Sequence, residues 1–139
     1  MTDANPLEQK IVSDLRNALA HFKYSLAKVS RIDFKAEWDE PTLEVLESFS
    51  SRFARLSDLY IARFLRFKIR QGDPGFRGSL IDALNLAEKL AWLDSARDWA
   101  RIRELRNIAA HEYSTDDYRR LYQELLRLSP HLIQIEKRL

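Results

Sequence analysis

Cysteine is absent from the 139-residue chain. Disulfides, thiolate zinc sites, iron–sulfur clusters and cysteine nucleophiles are therefore excluded, and a reducing cytoplasm suits the composition. Glycine is nearly absent too, its three copies all falling between Gly72 and Gly78, so no recurring strand-and-turn pattern runs through the chain. No apolar run approaches the roughly 18 residues that a bilayer span needs. Residues Met1 to Pro6 are polar and carry Asp3, unlike an export signal. A soluble cytoplasmic protein with no membrane contact is expected. Excess charge of one sign is missing as well: 23 basic and 21 acidic residues leave +2, so overall electrostatics do not demand a nucleic-acid partner. A chain of this length fits one domain, residues 1–139, able to bury a core without metal or disulfide staples.

What is present is helical periodicity. Leu7, Ile11, Leu15, Ala18, Leu19, Phe22 and Leu26 form one stripe of a first helix, with Asn5 as cap and Pro6 at its first position, ending near Ser30. A second helix begins after Asp39 and runs to about Arg70 through Leu46, Phe49, Phe53, Leu56, Tyr60, Phe64 and Phe67. Gly72-Asp73-Pro74-Gly75-Phe76-Arg77-Gly78 forces a turn; it lacks the lysine and Ser/Thr register of a phosphate-cradling loop. A third helix is expected through Leu80, Ile81, Leu84, Ala87, Leu90 and Ala91. A fourth starts near Ser95 and passes Trp99, Ile102, Leu105 and Ala109. Ser114-Thr115-Asp116-Asp117 reads as the cap of a last helix through Tyr118, Leu121, Leu125, Leu128, Leu132 and Leu139, which Ser129-Pro130 either kinks or restarts. The fold class is thus all-α: an antiparallel bundle of four to five helices with short connections. Trp92, Trp99 and the phenylalanine stripe belong to the core or to a dimer interface.

Local charge says more than the net. Arg63, Arg66, Lys68 and Arg70 form an acid-free run, and Arg97, Arg101, Arg103 and Arg106 form another interrupted only by Asp98 and Glu104. Each is either a solvated helix face or a phosphate-binding patch whose affinity falls with salt. The second run leads into Leu105-Arg106-Asn107-Ile108-Ala109-Ala110-His111-Glu112-Tyr113, which sets a cation, an amide, an imidazole and a phenol within about two helical turns. At about 100° per residue, Arg106 and Tyr113 share one face while Asn107 and His111 share the adjacent one. Guanidinium can hold a phosphate bidentately, and imidazole can shuttle a proton near neutral pH. Cleavage of RNA by its own 2′-hydroxyl needs a base and a cation, and these two suffice without metal. Glu112, Asp116 and Asp117 match no ligand spacing, so no metal or other cofactor is expected. Arg16-Asn17-Ala18-Leu19-Ala20-His21 repeats the hexapeptide pattern inside the first helix, but its tyrosine, Tyr24, lies three residues past the histidine rather than two. His21 and His131 are read as structural.

The stretch Leu105 to Tyr113 resembles the HEPN superfamily, specifically the HepT-type toxins with their Arg-x4-His-x-Tyr signature and a polar residue after the arginine. Arg106, Asn107, His111 and Tyr113 fill those slots, and the domain length and the place of the motif at the end of the penultimate long helix are similar. The resemblance implies a HEPN-like bundle acting as an endoribonuclease toxin of a toxin–antitoxin pair. It implies a homodimer in which two motifs face one another to make a composite site for RNA, tRNA or mRNA. His111 would act on the 2′-hydroxyl or leaving oxygen, Arg106 would hold the scissile phosphate, and Asn107 would orient either. Arg101 and Arg103 are candidates for further substrate contacts. The partner would be a minimal nucleotidyltransferase antitoxin that attaches AMP to Tyr113, placing bulk and negative charge where an anionic substrate binds.

Two other readings use the same residues. In one, the bundle is a non-catalytic RNA- or nucleotide-binding partner subunit of a minimal nucleotidyltransferase, the motif being a pocket or modification site. In the other it is a helical adaptor, with Arg106 in an ion pair, Asn107 capping a helix end, and His111 and Tyr113 packed in the bundle.

Overall fold

The computed structural model of the chain describes residues 5–108 and 115–139, and every described element is helical. Helix α1 (Pro6–Val29) starts where Asn5 accepts the amides of Leu7 and Glu8 at 2.8 and 3.3 Å, with Pro6 at the position where a missing N–H costs nothing. Helix α2 (Glu40–Asp58) starts the same way: the Asp39 carboxylate accepts the Thr42 amide at 2.9 Å and Pro41 sits in the first turn. The rod then continues through a π-helical stretch, Leu59–Leu65, into α3 (Arg66–Gly72). Helices α4 (Leu80–Lys89), α5 (Ala96–Ile108) and α6 (Thr115–Ile133) follow, and Gln134–Arg138 closes the chain as a 3₁₀ turn. Counting the α2–α3 rod once, five helices pack together, as the periodicity predicts.

The neighbours run antiparallel, as their ion pairs show. Along α1 and the rod, Glu8 pairs with Lys68, Asp14 with Arg63 at 3.2 Å, and Ser25 with Arg52 at 2.9 Å, so the sequence positions run in opposite directions. Between α5 and α6, His131 sits 2.8 Å from Asp94 and 3.1 Å from Asp98, while Arg101 meets Glu124 in a two-pronged pair at 2.6 and 2.7 Å. The core is one continuous apolar cluster drawn from all five helices, from Ile11 to Ile135. At its centre the Tyr60 ring lies 5.2 Å from both Phe64 and Trp99, and its hydroxyl donates to the Trp92 carbonyl. Burial pushes that phenol well above the usual tyrosine range.

Three sequence expectations are corrected here. The stripe of the second helix does not end on Phe67: Ile69 is 2% exposed and Phe67 only half-buried. The π-helical stretch fits an extra residue into the turn, which advances the buried face from Phe64 and Leu65 to Ile69. The third helix stops at Lys89, with Ile81 and Leu90 exposed; Leu84 and Ala87 are buried as expected, and Ala83 joins them. Its end is a Schellman closure, in which the Trp92 amide reaches Ala87 O at 2.9 Å and the Ala91 amide reaches Glu88 O at 3.1 Å, with Ala91 at φ 62°. Finally, His21 is exposed rather than built into the core, one residue out of phase with buried Phe22. His131, by contrast, does tie two helices together. Pro130 does not restart α6, which runs through it to Ile133, and the buried Ser129 hydroxyl donates to Leu125 O at 2.8 Å.

Two stability outcomes follow. Ala91 holds a left-handed conformation that glycine adopts without its Cβ strain, so Ala91→Gly is expected to stabilise the fold by about 0.5–1 kcal/mol, read as a raised melting temperature; an unchanged or lower value contradicts the assignment. The Arg101 guanidinium bonded to Glu124 holds that carboxyl below its ordinary value of 4.5. The folded state thus binds the proton more weakly than the unfolded one, so the pair stabilises fully above pH 4.5 and its contribution is lost as pH falls below that value. Glu124→Gln should melt below wild type at neutral pH, and the gap should narrow in acid; a gap that is constant with pH rejects the pair as its source.

Candidate functional site

The end of α5 carries the described part of the motif. Arg106 is its last basic residue and Asn107 its penultimate position, both on the surface, with Leu105 beneath them in the core. Both guanidinium groups of this turn converge on one carboxylate: Arg103 Nη1 donates to Asp58 Oδ1 at 2.9 Å and Arg106 Nε to Asp58 Oδ2 at 2.9 Å. The two arginines are three apart and project to one helix face, where each takes one oxygen. Asp58 is the last residue of α2, immediately before the π-helical stretch. Arg106 Nη1 donates to the Asn107 side-chain oxygen at 3.3 Å, and its Nη2 makes no hydrogen bond among the described residues. Arginine's planar fork is thus held through Nε by Asp58 and through Nη1 by Asn107.

Arg106 borders a cleft of about 730 Å³ whose described lining also comprises Trp38, Leu43, Glu47, Ser50, Ser51, Ala54, Tyr118, Arg119 and Tyr122. Trp38 comes to it from the connection between α1 and α2. Trp38 donates through Nε1 to Asp33 O at 3.1 Å, which folds the connection back on itself. From α6, Arg119 donates to Phe34 O and Ala36 O, both at 2.6 Å, and lays its guanidinium 4.0 Å from the Trp38 ring centre. Tyr118 and Tyr122 stack one turn apart at 6.1 Å, and burial, with Glu47 adding, pushes the Tyr122 phenol up to about 12. It stays neutral at physiological pH.

The other sequence candidates separate around this centre. Arg103 lies with Arg106 on Asp58. Arg101 points to α6, where Glu124 takes two of its donors, while Glu104 of its own helix takes a third; both raise its already high affinity for its proton, so its fork serves the bundle. In the earlier basic run, Arg63 and Lys68 pair with Asp14 and Glu8 of α1. Arg16, Asn17 and His21 all sit exposed on α1, where Arg52 of α2 donates to the His21 carbonyl at 3.1 Å. His111 and Tyr113 lie outside the described residues.

Sequence reasoning missed Asp58, Trp38, Ser50, Ser51 and Arg119. Asp58 stands beside the apolar stripe of a long helix, where an acid reads as solvated, and its partners are 45 and 48 positions away. Trp38 did have a local signal: it precedes the Asp39 cap and Leu43 follows at the fourth helical position, the two sites of a hydrophobic staple. Nothing local marks Arg119, whose carbonyl partners are 85 and 83 residues away.

A scan against protein-family models, a search of curated proteins and a search of solved structures each return no match to this chain. The likeness to HEPN proteins therefore rests on the sequence motif of Arg106, Asn107, His111 and Tyr113.

Proposed function

We propose that the protein is a metal-independent endoribonuclease toxin of the HEPN type. The observation that carries this reading is Arg106: a guanidinium anchored through Nε by Asp58 and lining a ligand-sized cleft. In this reading Arg106 holds the scissile phosphate and offsets the charge that builds on it, the electrostatic contribution that dominates such reactions. His111, five residues on, acts as base toward the 2′-hydroxyl, whose oxygen attacks phosphorus as the 5′-oxygen of the next nucleotide leaves and takes up a proton. Asn107, already bonded to Arg106, orients the guanidinium. Asp58 is a positioning residue that acts through Arg106. The protein works as a homodimer with a composite site, and a nucleotidyltransferase antitoxin silences it by adding AMP to Tyr113.

Purified wild type is expected to cleave a tRNA and mRNA mixture in EDTA. Arg106→Ala and His111→Ala should each lose at least about a hundredfold in rate, as expected for removing a charge stabiliser or a general base. His21→Ala, in the look-alike motif, should cleave as wild type does. Mixing the two inactive variants should restore part of the activity if each site draws on both protomers. Cleavage that survives in His111→Ala rejects the mechanism. No cleavage by a wild type shown by mass spectrometry to carry no AMP moves the assignment to a non-catalytic partner of the nucleotidyltransferase.

A further inference from the structure

The cleft beside Arg106 has a chemistry of its own. One wall is a flat cation on a flat aromatic ring: the Arg119 guanidinium, fixed by two carbonyls at 2.6 Å each, against Trp38 at 4.0 Å. Both groups border the cleft together with Tyr118 and Tyr122. Guanidinium planes and aromatic faces are the surfaces on which proteins stack unpaired bases, because every base has a π-face. This surface is held in place before any ligand arrives, so little side-chain freedom is lost on binding. Ser50, Ser51 and Glu47, lining the same cleft from α2, supply two hydroxyls and a carboxylate, donors and acceptors suited to a base edge or a ribose hydroxyl. The volume of about 730 Å³ falls in the range that takes one small ligand.

We infer that this cleft is a nucleotide subsite for single-stranded RNA. It receives the base next to the phosphate on Arg106, with that base stacked on the Arg119–Trp38 wall. The inference rests on the ribonuclease reading for the role of Arg106, but the subsite is a binding property and stands or falls separately. A strand is favoured over a free nucleoside triphosphate by the count of available cations. Arg119 spends both terminal nitrogens on Phe34 and Ala36, which leaves Arg106 as the other cationic edge of the described lining. One such edge matches the single phosphate between neighbouring nucleosides of a strand; a triphosphate is usually held by several cations and backbone amides. The connection between α1 and α2, otherwise a plain linker, thereby becomes part of the substrate site.

The test is fluorescence anisotropy with a short labelled RNA fully 2′-O-methylated, which blocks cleavage through the 2′-oxygen. Arg119→Gln removes the cationic plane, and Ser51→Leu fills the cleft from an exposed position that bears no core contact. Arg16→Gln on the far motif copy removes one cation elsewhere and measures the generic charge effect. Both cleft variants should weaken binding about tenfold or more, the loss of one stacked base, with Arg16→Gln within about twofold of wild type and AMP displacing the strand only weakly. Should Arg119→Gln fail to fold, Ser51→Leu decides alone. The subsite is overturned if the folded cleft variants bind as wild type does, if wild type binds no strand, or if AMP alone binds as tightly as the strand. Weakened binding in the cleft variants together with no cleavage by wild type keeps the subsite and rejects the ribonuclease reading. Full-rate cleavage by Ser51→Leu and Arg119→Gln does the reverse.

Discussion

The registry between the central rod and α5 sets the position of Arg106 at the site. It is fixed in the core by Tyr60, whose ring packs between Phe64 and Trp99 and whose hydroxyl reaches the Trp92 carbonyl. At the surface, two residues earlier on the rod, Asp58 receives Arg103 and Arg106. Apolar burial supplies the stability of this contact, at about 25 cal/mol per Å² of surface removed from water, whereas half-exposed ion pairs contribute about 0–1 kcal/mol. The Asp58 pair is therefore better understood as a device for placing a side chain than as a source of stability. An arginine at a helix end has four rotatable bonds and would otherwise sweep a large volume; one bond from Nε to a carboxylate holds its fork in one direction.

The π-helical stretch belongs to the same arrangement. It follows Asp58 directly, contains Tyr60 and Phe64, and rotates the later part of the rod so that Ile69 enters the core. π-helical turns recur at functional sites because the inserted residue reorients its neighbours. Here the turn lets one rod serve two packing directions, keeping α2 against α1 and α6 while its later half reaches α4. The charge pattern is consistent with such a division of labour. Several of the basic residues are answered by acids across helix contacts, as in Arg63 with Asp14, Lys68 with Glu8 and Arg101 with Glu124. A net charge of +2 is thus compatible with a polyanionic substrate when the cations that matter are few and placed.

Local physics was legible in the sequence and long-range pairing was not. The helix starts at Asn5-Pro6 and Asp39-Glu40-Pro41 are written in adjacent residues, and each is capped as the sequence predicts. The apolar stripes of α1 from Ile11 onward and of α6 hold because a regular helix preserves phase: Ile11, Leu15, Phe22, Leu125, Leu128 and Leu132 are all buried, whereas Leu7, expected in the α1 stripe, is exposed. Phase fails where the helix itself is irregular, as at Phe67 and Ile69. Alanine at φ 62° is an uncommon way to end α4, so the stop at Lys89 carried no glycine to announce it. At the site, Arg106 and Asn107 were visible as a motif, but Asp58, Trp38 and Arg119 become functional neighbours only when the bundle closes.

The central claim is that Asp58 works by aiming Arg106, and charge alone makes the opposite forecast. Replacing Asp58 by alanine removes a negative charge beside an anionic substrate, so electrostatics without geometry would strengthen RNA binding and speed or preserve cleavage. Steady-state RNA cleavage by Asp58→Ala, with kcat and KM separated and folding verified by thermal melting, decides between them. The account expects kcat to fall while KM stays unchanged or decreases. A kcat equal to or above that of wild type would contradict it.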